Sequence, residues 1–89
     1  MTTVIIHHDV TDYDLWRKVF DSAAEFRKAF GEQSAEILRD AGNPNQVTGI
    51  VRYDSLESAK AYFANPELKA KMAEAGVVGK PEIRFLFGS

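Results

Sequence analysis

The spacing of apolar residues in this chain switches repeatedly between the two-residue repeat of strands and the three-to-four-residue repeat of helices. Residues 2–8 are rich in β-branched side chains and predict a strand. The apolar stripe from Trp16 to Phe30 predicts one helix that ends at Gly31. Thr11 and Asp14 resemble a capping box at the start of this helix. A strand followed by an amphipathic helix therefore opens the fold.

Two strands joined by a tight turn are predicted next. Residues 32–40 and 46–53 have the apolar pattern of strands, and residues 41–45, Ala-Gly-Asn-Pro-Asn, are typical of a turn. Gly49 lies inside the later strand and indicates a bulge or a close approach of backbone. A hairpin therefore occupies the middle of the chain.

The second half repeats the helix-strand order. Ser55 is a suitable cap for a helix that starts at Leu56, and an Asn-Pro pair restarts a helix over residues 66–75. Residues 76–79 carry two glycines and predict a loop, and residues 81–87 predict the last strand.

The order β-α-β, β-α-β predicts an α+β fold of the ferredoxin-like βαββαβ type. We expect one domain over residues 1–89, with a four-stranded antiparallel sheet of order 4-1-3-2 and helices on one face. No internal repeat of solenoid period or low-complexity linker interrupts it.

Both faces of the predicted sheet carry apolar side chains, although helices can cover only one. We therefore expect a homodimer that packs sheet against sheet. The alternative is that these strands carry ordinary exposed apolar residues. The residues concerned are Val4, Ile5, Ile6, Ile50, Val51, Phe85, Leu86 and Phe87.

The composition argues against several classes of function. A net charge of −2 provides no positive field for nucleic acid or an anionic membrane. The chain has no cysteine, which excludes disulfides and thiolate chemistry and fits the cytoplasm. The first residues resemble neither a signal peptide nor a membrane span, so we expect neither.

The adjacent histidines His7 and His8 are the first candidates for chemistry. Neighbours on a strand point to opposite faces, so the pair cannot chelate one metal, and we expect no metal site and no cofactor. The histidine that faces the helices could act as a general base or donate a hydrogen bond to a carbonyl group. Alternation alone does not decide which histidine faces the helices, because Val4 and Ile6 share a face with His8, while Thr3 and Ile5 share one with His7. We favour His8 for the catalytic role, and a histidine bonded to backbone or water is the structural alternative.

The predicted topology brings further side chains to the end of the domain where His7 and His8 lie. We expect an apolar cleft there that binds a small hydrophobic ligand. Trp16 could stack on a planar ligand, or it could simply be the first core residue of the helical stripe. Arg39 could bind a carboxylate, or it could pair with Asp40 in solvent. Tyr53 is expected at the opposite end. The candidate substrate-binding residues are His7, Tyr13, Trp16, Arg39, Thr48, Phe63 and Met72.

Four segments together resemble small bacterial proteins of the dimeric α+β barrel superfamily, which includes proteins described as antibiotic biosynthesis monooxygenase-like or as cyclases. The segments are VTDYDLWRKVFD (10–21), LRDAGNPNQV (38–47), SLESAKAYF (55–63) and PELKAKMAEAGVVGKP (66–81). The resemblance implies the fold and a homodimer. Its characterised relatives are cofactor-free oxygenases, polyketide cyclases and lactone isomerases, but none of their catalytic motifs matches this sequence residue for residue.

Three functions therefore remain open at this point. The first is a cytoplasmic homodimer that binds a small organic molecule in an apolar pocket between helices and sheet. The second is a cofactor-independent cyclase, isomerase or monooxygenase that acts on an aromatic or polyketide-like substrate. The third is a dimeric protein-interaction module without a small ligand.

Overall fold

The computed structural model describes residues 1–88, and its strands form a four-stranded antiparallel sheet. The order across the sheet is β2-β3-β1-β4, which is the predicted order 4-1-3-2 read from the other edge. The predicted ferredoxin-like arrangement is therefore confirmed. The strands are β1 (Thr2–Val10), β2 (Glu32–Arg39), β3 (Gln46–Tyr53) and β4 (Val77–Phe87).

The helices are α1 (Tyr13–Ser22), α2 (Ala24–Ala29), α3 (Leu56–Phe63) and α4 (Pro66–Glu74). The predicted cap of α3 is confirmed, because the Ser55 hydroxyl accepts a hydrogen bond from the Ser58 amide at 3.1 Å. The predicted cap of α4 is also confirmed, because the Asn65 side chain accepts one from the Glu67 amide at 2.8 Å. These bonds satisfy amides that have no partner inside the helix.

The first helical segment differs from its prediction in two ways. It is not one helix to Phe30 but is interrupted at Ala23, where ψ is 10°. The Ser22 hydroxyl donates to the Val19 carbonyl at 2.8 Å, and such back-bonding competes with regular helix geometry. The N-cap is Asp12, whose carboxylate accepts from the helix amide two residues on, so the predicted capping box is wrong.

The last strand begins earlier than predicted. Val77 and Val78 pair with Val10 and Asp9 of β1, so the loop predicted over residues 76–79 is wrong. Pairing across the sheet outweighs the local preference of the flanking glycines for a loop.

The pairing of β1 with β4 is irregular beside His8. His7 pairs with Glu82 and Asp9 pairs with Val78, so His8 alone faces a three-residue bulge of β4. The bulge consists of Gly79, Lys80 and Pro81, with Gly79 at a φ of +72°. Proline cannot donate a hydrogen bond to a neighbouring strand, which suits this position at the edge of the sheet.

Burial alternates along the two central strands. The helix-facing side chains of β1, from Thr2 to Val10 at every second residue, are buried, and those between them are partly or fully exposed. The buried residues form two clusters between helices and sheet, one around Tyr53 and Tyr62 and the other around Trp16. Aliphatic and aromatic side chains therefore fill the space between helices and sheet.

Gly49 is a point of close approach, not a bulge. A Cβ at this position would lie 3.1 Å from Cγ2 of Ile6 and 3.6 Å from Cδ1 of Ile37. The β1–β3 register continues without a shift through Gly49, which pairs with Ile6. The missing side chain lets Ile6 and Ile37 pack against the backbone on the helix-facing side of the sheet.

Candidate functional site

A cavity of about 70 Å³ lies between the sheet and the helices. Strands β1, β2 and β3 form its floor, and residues from all four helices form its walls and roof. Apart from His8, Arg27, Lys71 and two tyrosines, its lining is apolar. The lining residues are Ile6, His8, Trp16, Val19, Phe20, Ala23, Arg27, Ile37, Gly49, Val51, Tyr53, Tyr62, Phe63, Leu68, Lys71, Met72 and Ala75.

His8 is a polar group of this cavity that is fully buried without a hydrogen-bond partner within residues 1–88. The side chain is 5% exposed, and within residues 1–88 neither ring nitrogen makes a hydrogen bond. Its ring centroid lies 5.4 Å from that of Trp16. A buried polar group without a partner costs about 1–3 kcal/mol, so a hydrogen-bonding ligand here would recover stability.

Burial lowers the pKa of His8 to about 4 from its usual 6.5. A charge on the neighbouring His7 would lower it further, whereas Asp9 raises it. The imidazole is therefore neutral at pH 7, with one nitrogen that can donate a hydrogen bond and one that can accept. Such a group is suited to hold a carbonyl or hydroxyl group, and it is a weak base until negative charge develops on the bound molecule.

The tryptophan next to His8 belongs to an aromatic row on α1. Trp16 stacks on Phe20 with centroids 4.9 Å apart, and Tyr13 lies 5.9 Å from Trp16 on the other side. The Arg39 guanidinium lies 3.7 Å above the Tyr13 ring, and its Nε donates to the Pro44 carbonyl at 2.9 Å. This contact joins the start of α1 to the turn that follows β2.

The opposite end of the cavity contains a buried ion pair. Nε of Arg27 donates to Oε2 of Glu32 at 2.6 Å, and the two side chains are 9% and 8% exposed. Arg27 also donates to the Phe20 carbonyl and lies 3.6 Å above the Phe20 ring.

Burial raises the pKa of Tyr62 to about 12 and that of Tyr53 still further above its usual value. Both tyrosines are therefore neutral phenols at pH 7.

The structure brings four of the predicted site residues together. His8, Trp16, Phe63 and Met72 line the cavity. Of the two histidines, it is His8 that faces the helices, a choice that the pattern of β1 had left open. Tyr13 and Arg39 do not line the cavity. Tyr13 packs beside Trp16, which does line it, and the Arg39 guanidinium lies over the Tyr13 ring.

Two predicted site residues lie elsewhere. His7 and Thr48 are on the outer face of the sheet, where Nδ1 of His7 lies 2.9 Å from Oγ1 of Thr48. The prediction that they lie in the cleft is wrong. The topology determines only the end of the sheet at which they lie, and strand alternation places their side chains on the face away from the helices.

Sequence reasoning missed several lining residues. Tyr53 was expected at the far end, yet it lines the cavity because the cavity extends along β3. Alternation with Val47 and Val51 was the signal that could have placed its side chain inside. Arg27 lies within the apolar stripe of the first helical segment, four residues after Ala23, and a lone charge in such a stripe indicates a buried partner.

Within residues 1–88, no three His, Cys, Asp or Glu side chains are placed to hold a metal ion. No helix in that part of the chain has the length and apolar character needed to cross a membrane.

Solved structures with the same architecture span nearly the whole chain. An antibiotic biosynthesis monooxygenase superposes with a TM-score of 0.75 at 11% identity, covering 100% of this chain and 99% of that one. This chain has the protomer fold of the antibiotic biosynthesis monooxygenases. No protein-family profile and no curated protein matches the sequence.

Two further structures with this fold come from Streptomyces. SnoaB of Streptomyces nogalater, a cofactor-independent oxygenase, has a TM-score of 0.74 at 15% identity, covering 99% of this chain and 94% of that one. The monooxygenase ActVA-Orf6 of Streptomyces coelicolor, in complex with nanaomycin D, has a TM-score of 0.69 at 17% identity, covering 99% and 87%. At these identities the likeness establishes the fold.

Proposed function

We propose that this protein is a cytoplasmic homodimer that binds a small, largely apolar organic molecule between helices and sheet, through a hydrogen bond to His8. The observation that carries the proposal is a buried imidazole, without a hydrogen-bond partner in residues 1–88, in the wall of an apolar cavity. Ligand sites of this kind combine an apolar lining with a few polar groups that fix orientation.

The size of the cavity limits how such a molecule binds. At about 70 Å³ the cavity is roughly half the ~150 Å³ of an apolar cavity that holds benzene. A polycyclic molecule therefore requires side chains of the lining to move. Binding would be accompanied by local opening of the helical layer.

A second function is favoured by the neutral state of His8 and by the solved structures. SnoaB is a cofactor-independent oxygenase, and ActVA-Orf6 is a monooxygenase seen with nanaomycin D. In a cyclase, isomerase or oxygenase of this kind, the unprotonated nitrogen of His8 would take the proton of a substrate hydroxyl group, which breaks its O–H bond and leaves an oxyanion; the new N–H of the imidazolium would then donate a hydrogen bond to that oxyanion. Apolar walls would strengthen both interactions.

The outer face of the sheet supports the homodimer. Its partly exposed side chains include Ile5 and Ile50, which are paired on the central strands, and the exposed apolar residues Leu38, Val78 and Leu86. Helices cover the other face, so a second copy packed on this one would bury these residues. A monomer of 9.9 kDa would leave them exposed to water.

Ligand binding is tested with the fluorescence of Trp16, the single tryptophan of the chain, during titration with planar aromatic molecules such as 1,4-naphthoquinone and N-phenyl-1-naphthylamine. We expect saturable quenching for the unaltered protein. His8→Phe should bind the ligand about 3- to 10-fold more weakly, because one hydrogen bond is lost while the volume of the side chain stays similar. His7→Phe is the matched control and should bind as the unaltered protein does. Equal losses in both variants would exclude His8 as the ligand contact, and no response to the panel would favour the protein-interaction module.

A further inference from the structure

A groove of about 580 Å³ lies between α4 and β4, on the helix side of the sheet. This volume falls within the range of about 300–1,000 Å³ that is typical of small-molecule sites. The groove lies on the opposite side of the sheet from the outer face proposed for the dimer. Its lining residues are Phe63, Leu68, Lys69, Met72, Ala73, Val77, Gly79, Lys80, Pro81 and Ile83.

The groove and the cavity share one wall. Phe63, Leu68 and Met72 line both spaces, and we call these three side chains the partition. Phe63 and Met72 are partly exposed, whereas Leu68 is buried. Methionine has a flexible, unbranched side chain that adapts its shape to its surroundings, so the partition includes a side chain that moves at low cost.

Positive charge is concentrated at the mouth of the groove. Lys69 and Lys80 are its charged lining residues, and both are exposed. Within residues 1–88, neither forms an ion pair with a carboxylate at 4 Å or less, and no Asp or Glu lines the groove. The chain as a whole has a net charge of −2, so this local charge is opposite to that of the molecule. Such a mouth attracts anions.

The bulge of β4 connects this charge to His8. Gly79, Lys80 and Pro81 lie on the strand next to His8, directly opposite it in the β1–β4 pairing. Gly79, Lys80 and Pro81 also line the groove, so the groove reaches the part of β4 that lies beside His8 in the sheet. A regular ladder would have placed one residue here instead of three.

We propose that the groove and the cavity join when the partition moves, and that the combined site binds an apolar molecule with a carboxylate or similar anionic group. The anionic group binds between Lys69 and Lys80, and the apolar body passes the partition toward His8. This inference rests on the proposed function and adds to it the route of entry and the class of ligand. It also explains how a cavity of about 70 Å³ can admit a larger molecule.

The route is tested by NMR of isoleucine and methionine methyl groups during titration with 8-anilinonaphthalene-1-sulfonate. Ile6 and Ile37 report on the cavity, Ile83 reports on the groove, and Met72 reports on the partition. We expect the signals of all four to shift together, while Ile5 and Ile50 on the outer face stay unchanged as internal controls. Shifts of Ile6 and Ile37 without Ile83 would overturn the inferred route and leave the proposed function intact. Shifts confined to Ile5 and Ile50, or no shifts, would contradict both.

The charge preference is tested with two probes that share one ring system. N-phenyl-1-naphthylamine lacks the sulfonate of 8-anilinonaphthalene-1-sulfonate. We expect Lys69→Gln/Lys80→Gln to weaken the sulfonate about 3- to 10-fold and to leave the neutral probe unchanged. The control Lys18→Gln/Lys28→Gln removes the same charge from exposed positions outside the groove and should affect neither probe. If the sulfonate bound both double variants with equal affinity, the role of Lys69 and Lys80 would be overturned. Binding of the neutral probe would still support the proposed function if it were weakened by His8→Phe.

Discussion

The rings of His8 and Trp16 pack against each other with centroids 5.4 Å apart and planes tilted by 55°. Both side chains are 5% exposed, so the indole helps to exclude water from the imidazole. Exclusion of water is the largest cause of the lowered pKa of His8. The same packing therefore determines the protonation state of the candidate site and links it to the stability of the fold.

The first prediction concerns pH and stability. The pKa of His8 is about 4 in the folded protein and 6.5 in the unfolded chain. At a pH between these values, the unfolded chain therefore binds more protons at His8 than the folded protein does. The contribution of neutral His8 is complete above pH 6.5 and is lost as the pH falls toward 4. Urea unfolding should show a loss of roughly 2 kcal/mol from this group between pH 7 and pH 5. His8→Phe should lack that part of the loss, and His7→Phe should keep it; identical pH profiles for all three proteins would refute the assignment.

The second prediction concerns the ion pair of Arg27 and Glu32. Glu32→Gln leaves a buried guanidinium without its counter-charge, which should lower the free energy of unfolding by about 3–5 kcal/mol. The double variant Arg27→Met/Glu32→Leu should recover most of the loss, because no isolated charge remains.

The exposed pair of Arg17 and Asp21 is the matched control for this prediction. Its side chains are 43% and 59% exposed, so Asp21→Asn should cost less than about 1 kcal/mol. Thermal and urea unfolding of the four proteins measure the difference, and similar losses for Glu32→Gln and Asp21→Asn would show that the buried pair contributes no more than a surface pair.

The third prediction concerns the close approach at Gly49. A Cβ at this position would lie 3.1 Å from Ile6, so Gly49→Ala should lower the free energy of unfolding by about 1–3 kcal/mol. In an Ile6→Ala background the added cost of Gly49→Ala should be smaller, because Cγ2 of Ile6, the atom that the new Cβ would meet, is absent. Gly88→Ala is the control, because nothing lies within 4 Å of a Cβ there. A neutral Gly49→Ala would show that Ile6 moves aside without cost.

The fourth prediction concerns the proposed dimer. Ile5→Glu/Ile50→Glu places two carboxylates in the middle of the outer face of the sheet, where burial against a second copy would be costly. Light scattering after size exclusion should give twice the 9.9 kDa chain mass for the unaltered protein and a shift toward the monomer for the variant. Leu15→Glu, at an apolar residue of α1 that is 43% exposed, should remain dimeric. A mass of one chain for the unaltered protein would contradict the dimer.

The candidate site was predictable from the sequence in part. Helical spacing was sufficient to place Trp16 on the inner layer, whereas alternation along β1 left open which histidine faces the helices, and only the structure places His8 there. The same reasoning was wrong for His7 and Thr48, because grouping residues by the end of the sheet disregards the face on which each side chain lies. The three-residue bulge opposite His8 had no local signal beyond a glycine and a proline, since it depends on how two distant strands pair.

By itself, the sequence determined the order of the elements, the topology of the sheet and the N-caps of α3 and α4, because these depend on periodicity and on contacts within a few residues. Only the tertiary structure decided that Arg27 and Glu32 pair, that Tyr53 lines the same cavity as His8, and that Lys80 lies opposite that histidine. These relationships arise from long-range packing of side chains, in which burial removes water and partners far apart in the chain meet. The lowered pKa of His8 is the clearest case, because it depends on the water-excluding neighbours that only the folded chain assembles.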